Sequence, residues 1–221
     1  MPKVSAAASL DSLLYLQEVF RTHFWALTGC LKPNAIISPP DPLEKARVLA
    51  KFTSAAQVEA AASGPHLIPL DLVQCARQAT QSQLSGKRAG HIRHLPQAAL
   101  DIMQAYCAQH GLTRLAPDPF EAHDSVWNVV NCSVWTGSLR ECIIAGHYRF
   151  LNVNPTFASS VRLPDLRAMY NHIALHVQGG RTRKELVKPG HSVNRAQLDA
   201  ARRGRERVSC LISHLSRKRS A

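Results

Sequence analysis

The sequence predicts an all-α protein, on three observations. Apolar residues recur at helical spacing through most of the chain, strand-type alternation is scarce, and alanine is abundant while aromatic residues make up only 6 per cent. With 45 per cent hydrophobic and 19 per cent charged residues over 221 positions, the composition is globular. A chain of this length can bury one sizeable core or two small ones.

The elements follow in order. Residues 11–27 place Leu13, Leu14, Phe20, Phe24 and Leu27 on one broad helical face, with Gly29 as the stop. Pro33, Asn34, Pro39 and Pro40 then interrupt regular structure. Asp41, Pro42 and Glu44 form a helix start, combining an N-cap, a first-position proline and a carboxylate placed to reach back to the cap. That helix is expected to run through Val48, Leu49, Phe52 and Val58 to near Ala62, closed by Gly64 and Pro65. A weaker helical pattern covers 70–84, with Leu72, Val73, Ala76 and Ala79, and residues 85–90 read as a basic turn holding Lys87 and Arg88. A strong helix over 96–109 puts Ala99, Leu100, Met103 and Tyr106 on one side and ends at Gly111.

Residues 112–124, with Pro117 and Pro119, read as a linker, dividing the chain into a helical region 1–115, a second helical region 116–216 and a basic tail 217–221. In the second region, 126–135 is short, apolar and aromatic, and its period leaves helix and buried strand both open. Residues 138–151 are expected to be helical, with Leu139, Cys142, Ile143, Ala145 and Phe150 inward. After a turn-rich connection over 152–160, Pro164 opens a helix over 164–177 that Gly179-Gly180 are expected to end. Arg181, Arg183 and Lys184 then fall in a loop. A last helix over about 194–215 carries Leu198, Ala201, Val208, Leu211, Ile212 and Leu215 as its apolar stripe, with Arg202, Arg203 and Arg207 pointing away from it.

Charge is the most informative feature. The last sixty residues hold fourteen of the 27 Lys and Arg but four of the 15 Asp and Glu, which is +10 of the formal +12. Such a one-sided field is the electrostatic footprint of a protein that binds a polyanion, most commonly nucleic acid. Eleven of the fourteen are arginines, whose planar fork matches phosphate oxygens. No Phe, Tyr or Trp follows Tyr170, so contacts of this end to the nucleic acid backbone are expected rather than base stacking.

Catalytic motifs are absent from the sequence. There is no phosphate-binding glycine loop, no Gly-x-Ser-x-Gly and no His-Glu-x-x-His, and Cys142 with His147 is a poor nucleophile and base spacing for one helix. Cys30, Cys75, Cys107, Cys132, Cys142 and Cys210 are scattered without a Cys-x-x-Cys pair, the pattern of reduced core thiols. Cys132, Cys142 and His147 lack a recognised zinc spacing. The expectation is a non-enzyme with no cofactor and no metal. No stretch approaches the roughly twenty apolar residues of a membrane span, and the first residues lack a leader pattern, so a cytosolic product is expected.

Val161-Arg162-Leu163-Pro164-Asp165 before a helix, Arg181-Thr182-Arg183 after it, and Leu198-Asp199-Ala200-Ala201-Arg202-Arg203 opening the next together resemble the tobacco mosaic virus type of rod-shaped viral coat protein. The resemblance covers about 125–216. It implies an antiparallel four-helix-bundle-like coat protein core, here with additional N-terminal helices, stacked helically around single-stranded RNA. Arg181, Arg183, Arg202 and Arg203 match the family's arginines, and Arg140 and Arg162 are further RNA contacts it suggests. Where the family has carboxylates after the arginine pair, this chain has Gly204, Arg205, Glu206 and Arg207.

The expected function is therefore a capsid protein of the virion, made in the host cytoplasm, that polymerises with itself around single-stranded RNA and touches no membrane. The alternative is a non-assembling basic RNA-binding regulator such as a viral silencing suppressor. A coat protein needs apolar faces left over for assembly, and the segment around Trp127 and Trp135 is the candidate; the competing reading places both tryptophans in the core.

Overall fold

The computed structural model describes residues 6–30, 35–75, 86–153 and 161–191, and beyond them 194, 197, 198, 202 and 206. Among the described residues the fold is helical and contains no strand. Eight α-helices are described: α1 Ala6–Thr28, α2 Pro42–Lys51, α3 Ala55–Ala61, α4 Gly86–Arg93, α5 Gln97–Gln109, α6 Val126–Ile144, α7 Leu163–Asn171 and α8 Gly179–Val187. The helix expected over 194–215 lies mostly outside the described residues, as do Arg203, Arg207 and Cys210.

The chain is organised around α6, against which α1, α2, α3, α5 and α7 all pack. Trp127, Val130, Val134, Trp135, Leu139, Cys142 and Ile143 are buried on it, and so are Asn128, Asn131, Thr136 and Ser138. Over 126–139 the helix is covered on every side and has no polar face, which is why 126–135 shows no period that separates helix from strand. Its interior hydroxyls are satisfied within the helix, Thr136 donating to the Cys132 carbonyl at 2.8 Å and Ser138 to that of Val134 at 2.6 Å. Phe20 and Phe24 of α1, Trp135 of α6 and Tyr170 of α7 meet in an aromatic cluster, with Trp135 5.6 Å from both Phe20 and Tyr170 between ring centroids. The tryptophans therefore belong to the core.

Several boundaries differ from those expected. α1 ends where Gly29 adopts φ +67°, and α5 where Gly111 adopts φ +73°, both as expected of C-terminal glycines. Asp41 caps α2 by accepting from the amides of Leu43 at 2.8 Å and Glu44 at 3.2 Å. The Glu44 carboxylate does not return to the cap; it is buried and accepts from the amide and hydroxyl of Thr113, at 3.2 and 2.5 Å. The expected continuous helix to Ala62 is broken at Phe52, and Ser54 caps a separate α3 by accepting from the Gln57 amide. Lys87 and Arg88 lie in α4 rather than in a turn, and of the pattern over 70–84 a 3-10 turn at Leu70–Leu72 is described.

Residues 112–124 do not behave as a free linker. Leu112, Leu115 and Ala116 are buried in one hydrophobic core with side chains from helices on both sides of them. Five of the six cysteines are described, and all five are in buried positions. No described helix is long and apolar enough to cross a membrane.

The largest correction concerns the glycine pair. From Leu163 the chain runs without a break through α7, a π-helical stretch His172–Gln178 and α8 to Val187. Gly179 has φ −60° and ψ −38°, ordinary right-handed helix, so it ends nothing. Its glycine identity has another cause: a Cβ there would stand 2.6 Å from the Cβ of Pro119, while nothing lies within 4 Å of a Cβ on Gly180. The neighbours should therefore respond with opposite signs. Gly180→Ala is expected to stabilise the protein by about 1 kcal/mol, the helix-propensity difference, and Gly179→Ala to destabilise it by about 1–3 kcal/mol as the rigid proline is displaced. Denaturant midpoints of the two variants test this; equal shifts would refute it.

Candidate nucleic-acid interface

The loop that receives α8 is shaped by the first turns of α6. Asn128 accepts from the Asp118 amide at 2.9 Å and donates to the carbonyls of Asp118 at 3.0 Å and Ala122 at 2.9 Å. Asn131 accepts from the Ala116 amide at 2.8 Å, and the Trp127 indole donates to the Ala116 carbonyl at 2.9 Å. Three side chains of one helix thus take the place of a strand or helix partner for this backbone, which could not otherwise be buried without loss. On the loop's outer side Lys45 bridges Asp118 at 2.7 Å and Glu121 at 2.6 Å. Burial alone would lower the Lys45 pKa, but the hydrogen bonds and charges of the two carboxylates outweigh it and leave it raised.

α8 docks on this loop through Gly179 and Arg183, one turn apart. Pro119 fills the space that Gly179 leaves, and the Arg183 guanidinium donates through Nε, at 3.1 Å, and Nη2 to the Pro119 carbonyl. Gln178, Gly179 and Thr182 form the buried side, with Thr182 donating to the Gln178 carbonyl at 3.2 Å. Opposite them Arg181, Lys184 and Lys188 are exposed, spaced three and four residues apart along one face. None of the three pairs with a carboxylate among the described residues. Lys184 lies in the last turn of α8 and Lys188 is its C-cap, where the helix dipole favours cations.

The six arginines expected to contact RNA sort into different situations. Arg181 is exposed on a helix, not in a loop, and is unpaired among the described residues. Arg183 is tied to a backbone carbonyl, so part of its donor fork is occupied holding α8 in place. Arg162 forms a two-pronged pair with Asp165, at 2.9 and 3.1 Å, which raises its own pKa and lowers that of the carboxyl. Arg202 pairs with Glu206 one turn on at 2.8 Å. Arg140 is exposed near the end of α6, and Arg203 lies outside the described residues. Lys184 and Lys188 complete the stripe with Arg181; their spacing, seven residues from Arg181 to Lys188, is a signal the sequence carries once α8 is known to be a helix. On the docked side of α8 a shallow cavity of about 440 Å³ is lined by Glu121, His123, Asn171, Leu175, His176 and Arg183.

Apolar side chains are also exposed at this end. Leu186 and Val187 close α8 at 57 and 87 per cent exposure, and Phe120 of the loop stands at 62 per cent, whereas Trp127 and Trp135 are fully buried. No family model matches the chain, and no curated protein and no solved structure is similar to it.

Proposed function

We propose that this protein is an RNA-coating capsid protein, which polymerises helically on single-stranded RNA by pairing cations with phosphates. The observation that carries the reading is the exposed row of Arg181 and Lys184 on α8 and Lys188 at its C-cap, on a helix whose opposite side is docked by Gly179 and Arg183. A row of cations on a rigid element presents fixed charge to a backbone and reads no base, which suits continuous coating of any sequence. Arg162 and Arg202 join by exchanging an exposed carboxylate partner for a phosphate, a small cost because exposed ion pairs are worth little. Within the span of the resemblance α7 packs against α6, as two neighbouring helices of a coat-protein core would. Leu186, Val187 and Phe120 are among the exposed apolar groups available for contacts between copies.

The burial of both tryptophans favours the second reading, a non-assembling RNA-binding protein, because it removes the aromatic segment from the surface available for assembly. Electron microscopy of the protein with and without single-stranded RNA at low salt separates the two: rods or stacked discs support the capsid, discrete small particles with RNA bound support the second. In either case the triple variant Arg181→Ala, Lys184→Ala, Lys188→Ala is expected to flatten the plot of log affinity against log salt by about two, since each phosphate contact on a single strand contributes about 0.7. Absence of RNA binding by the native chain sinks both readings.

A further inference from the structure

A second site lies away from the basic helix, between α2 and the segments that bracket α5. A cavity of about 330 Å³ is bounded by Val48 and Ala50 of α2, by Leu67 and Ile68, and by His110 and Gly111. Val48 and Ile68 are almost wholly buried, so its floor is apolar. Both ring nitrogens of His110 are within hydrogen-bond reach of backbone carbonyls, Nδ1 of Tyr106 at 2.8 Å and Nε2 of Val58 at 3.1 Å, so neither is left for the cavity. The wall is held in place, because the amides of Leu67 and Ile68 both donate to the Ala108 carbonyl, at 2.8 and 3.3 Å. Leu67 keeps 38 per cent of its surface exposed there.

The rim has the opposite character. Arg47 and Lys51 stand four residues apart on α2, where like charges repel, and neither pairs with a carboxylate among the described residues. The Arg47 guanidinium reaches the Gly111 carbonyl at 3.4 Å, which orients it over the opening and leaves most of its donors unused. A preformed apolar pocket of ligand size with a few convergent polar groups is the usual form of a small-molecule site. Here the convergent groups are two cations, and the walls offer no acceptor side chain.

We infer that this cavity binds a small amphipathic anion, an alkyl carboxylate or alkyl phosphate, with its chain on Val48, Leu67 and Ile68 and its head between Arg47 and Lys51. Guanidinium and ammonium together neutralise the head, and the chain covers the part of Leu67 left in water. This site is independent of the RNA reading. It shares no residue with the α8 stripe, so either can fail alone.

The test is a titration of the full chain, methyl-labelled at Val, Leu and Ile, with octanoate, octyl phosphate, octanol and acetate. Octanoate and octyl phosphate are expected to shift the Val48, Leu67 and Ile68 methyl signals, with octanol and acetate at least about tenfold weaker. Arg47→Ala with Lys51→Ala should weaken octanoate by about tenfold or more and leave octanol unchanged. Both positions are exposed, so the fold is expected to survive; Ala50→Leu, which narrows the cavity from its exposed side, should weaken octanoate without touching the charges. Octyl phosphate binding more tightly than octanoate would assign a phosphate head, and the reverse a carboxylate. Octanol binding as well as octanoate, shifts confined to other methyl groups, or no shift at millimolar ligand would each overturn the inference.

Discussion

Asn128→Ala is expected to destabilise the protein by about 3 kcal/mol or more. The substitution leaves the part-buried Asp118 amide and carbonyl and the Ala122 carbonyl without the partner they have inside the fold, and a cavity in place of a fully buried side chain; a polar group stranded out of water costs about 1–3 kcal/mol. Asn128→Asp should be no milder. It keeps the acceptor facing the Asp118 amide but turns an oxygen and a charge toward two carbonyls in a buried site. The loss should propagate to α8, since the loop released is the one that carries Pro119 and so the seat of Gly179 and Arg183. Urea denaturation gives the magnitude, and amide exchange at Asp118 and Phe120 should quicken in the same variant. A cost below about 1 kcal/mol would show that the loop holds its shape without the asparagine.

Acid is expected to weaken the fold well before its carboxylates titrate, and the cause is His23. Its ring is fully buried between Tyr148 and Ser138, at 2.5 Å from Nδ1 and 2.8 Å from Nε2. Ser138 has one proton and gives it to the Val134 carbonyl, so it accepts from Nε2–H, and Tyr148 must donate to Nδ1. This arrangement needs the neutral ring, and burial pulls the His23 pKa down to about 3. In the unfolded chain the ordinary value is about 6.5. Below that pH the unfolded state takes up a proton that the folded state refuses, so the stabilisation is complete above pH 6.5 and is lost as the pH falls toward 3. Between pH 6.5 and 5 the loss is about 2 kcal/mol, and burial of His110, which lowers its pKa too, acts in the same direction. Denaturant midpoints across this range check it. A flat profile, or a His23 ring signal that titrates near pH 6, would contradict the assignment.

Local signals in the sequence translated directly into structure where the cause was local. Asp41 and Pro42 start a helix, and Gly29 and Gly111 stop one, because capping and positive φ are decided by neighbours in the chain. The Ser54 and Gln57 spacing is equally local, and it starts α3 at a point that the apolar period alone runs past. Gly179 shows the limit. A glycine required by positive φ and one required by a close neighbour look the same in sequence, and Pro119 is sixty residues away. Asn128 and Asn131 carry no sequence signal, since their partners are backbone groups of a loop whose path only the fold defines. The basic end of the chain was legible as charge. Which cations stand free and which serve the fold was not, because Arg183 is distinguished from Arg181 by a carbonyl and not by its own neighbours.

The π-helical stretch His172–Gln178 sets a limit on how this chain can vary. Inside it the Gly179 amide reaches back five residues to the Ala174 carbonyl, so the segment holds more residues per turn than the helices it joins. Each residue of an α-helix turns the chain by about 100°. A single insertion or deletion there would swing everything beyond it by about that angle. Gly179 would leave Pro119, and Arg181, Lys184 and Lys188 would face a different direction with every side chain still present. Between α7 and α8, then, length is constrained more tightly than identity, and a one-residue change in the spacer should be costlier than most substitutions within it.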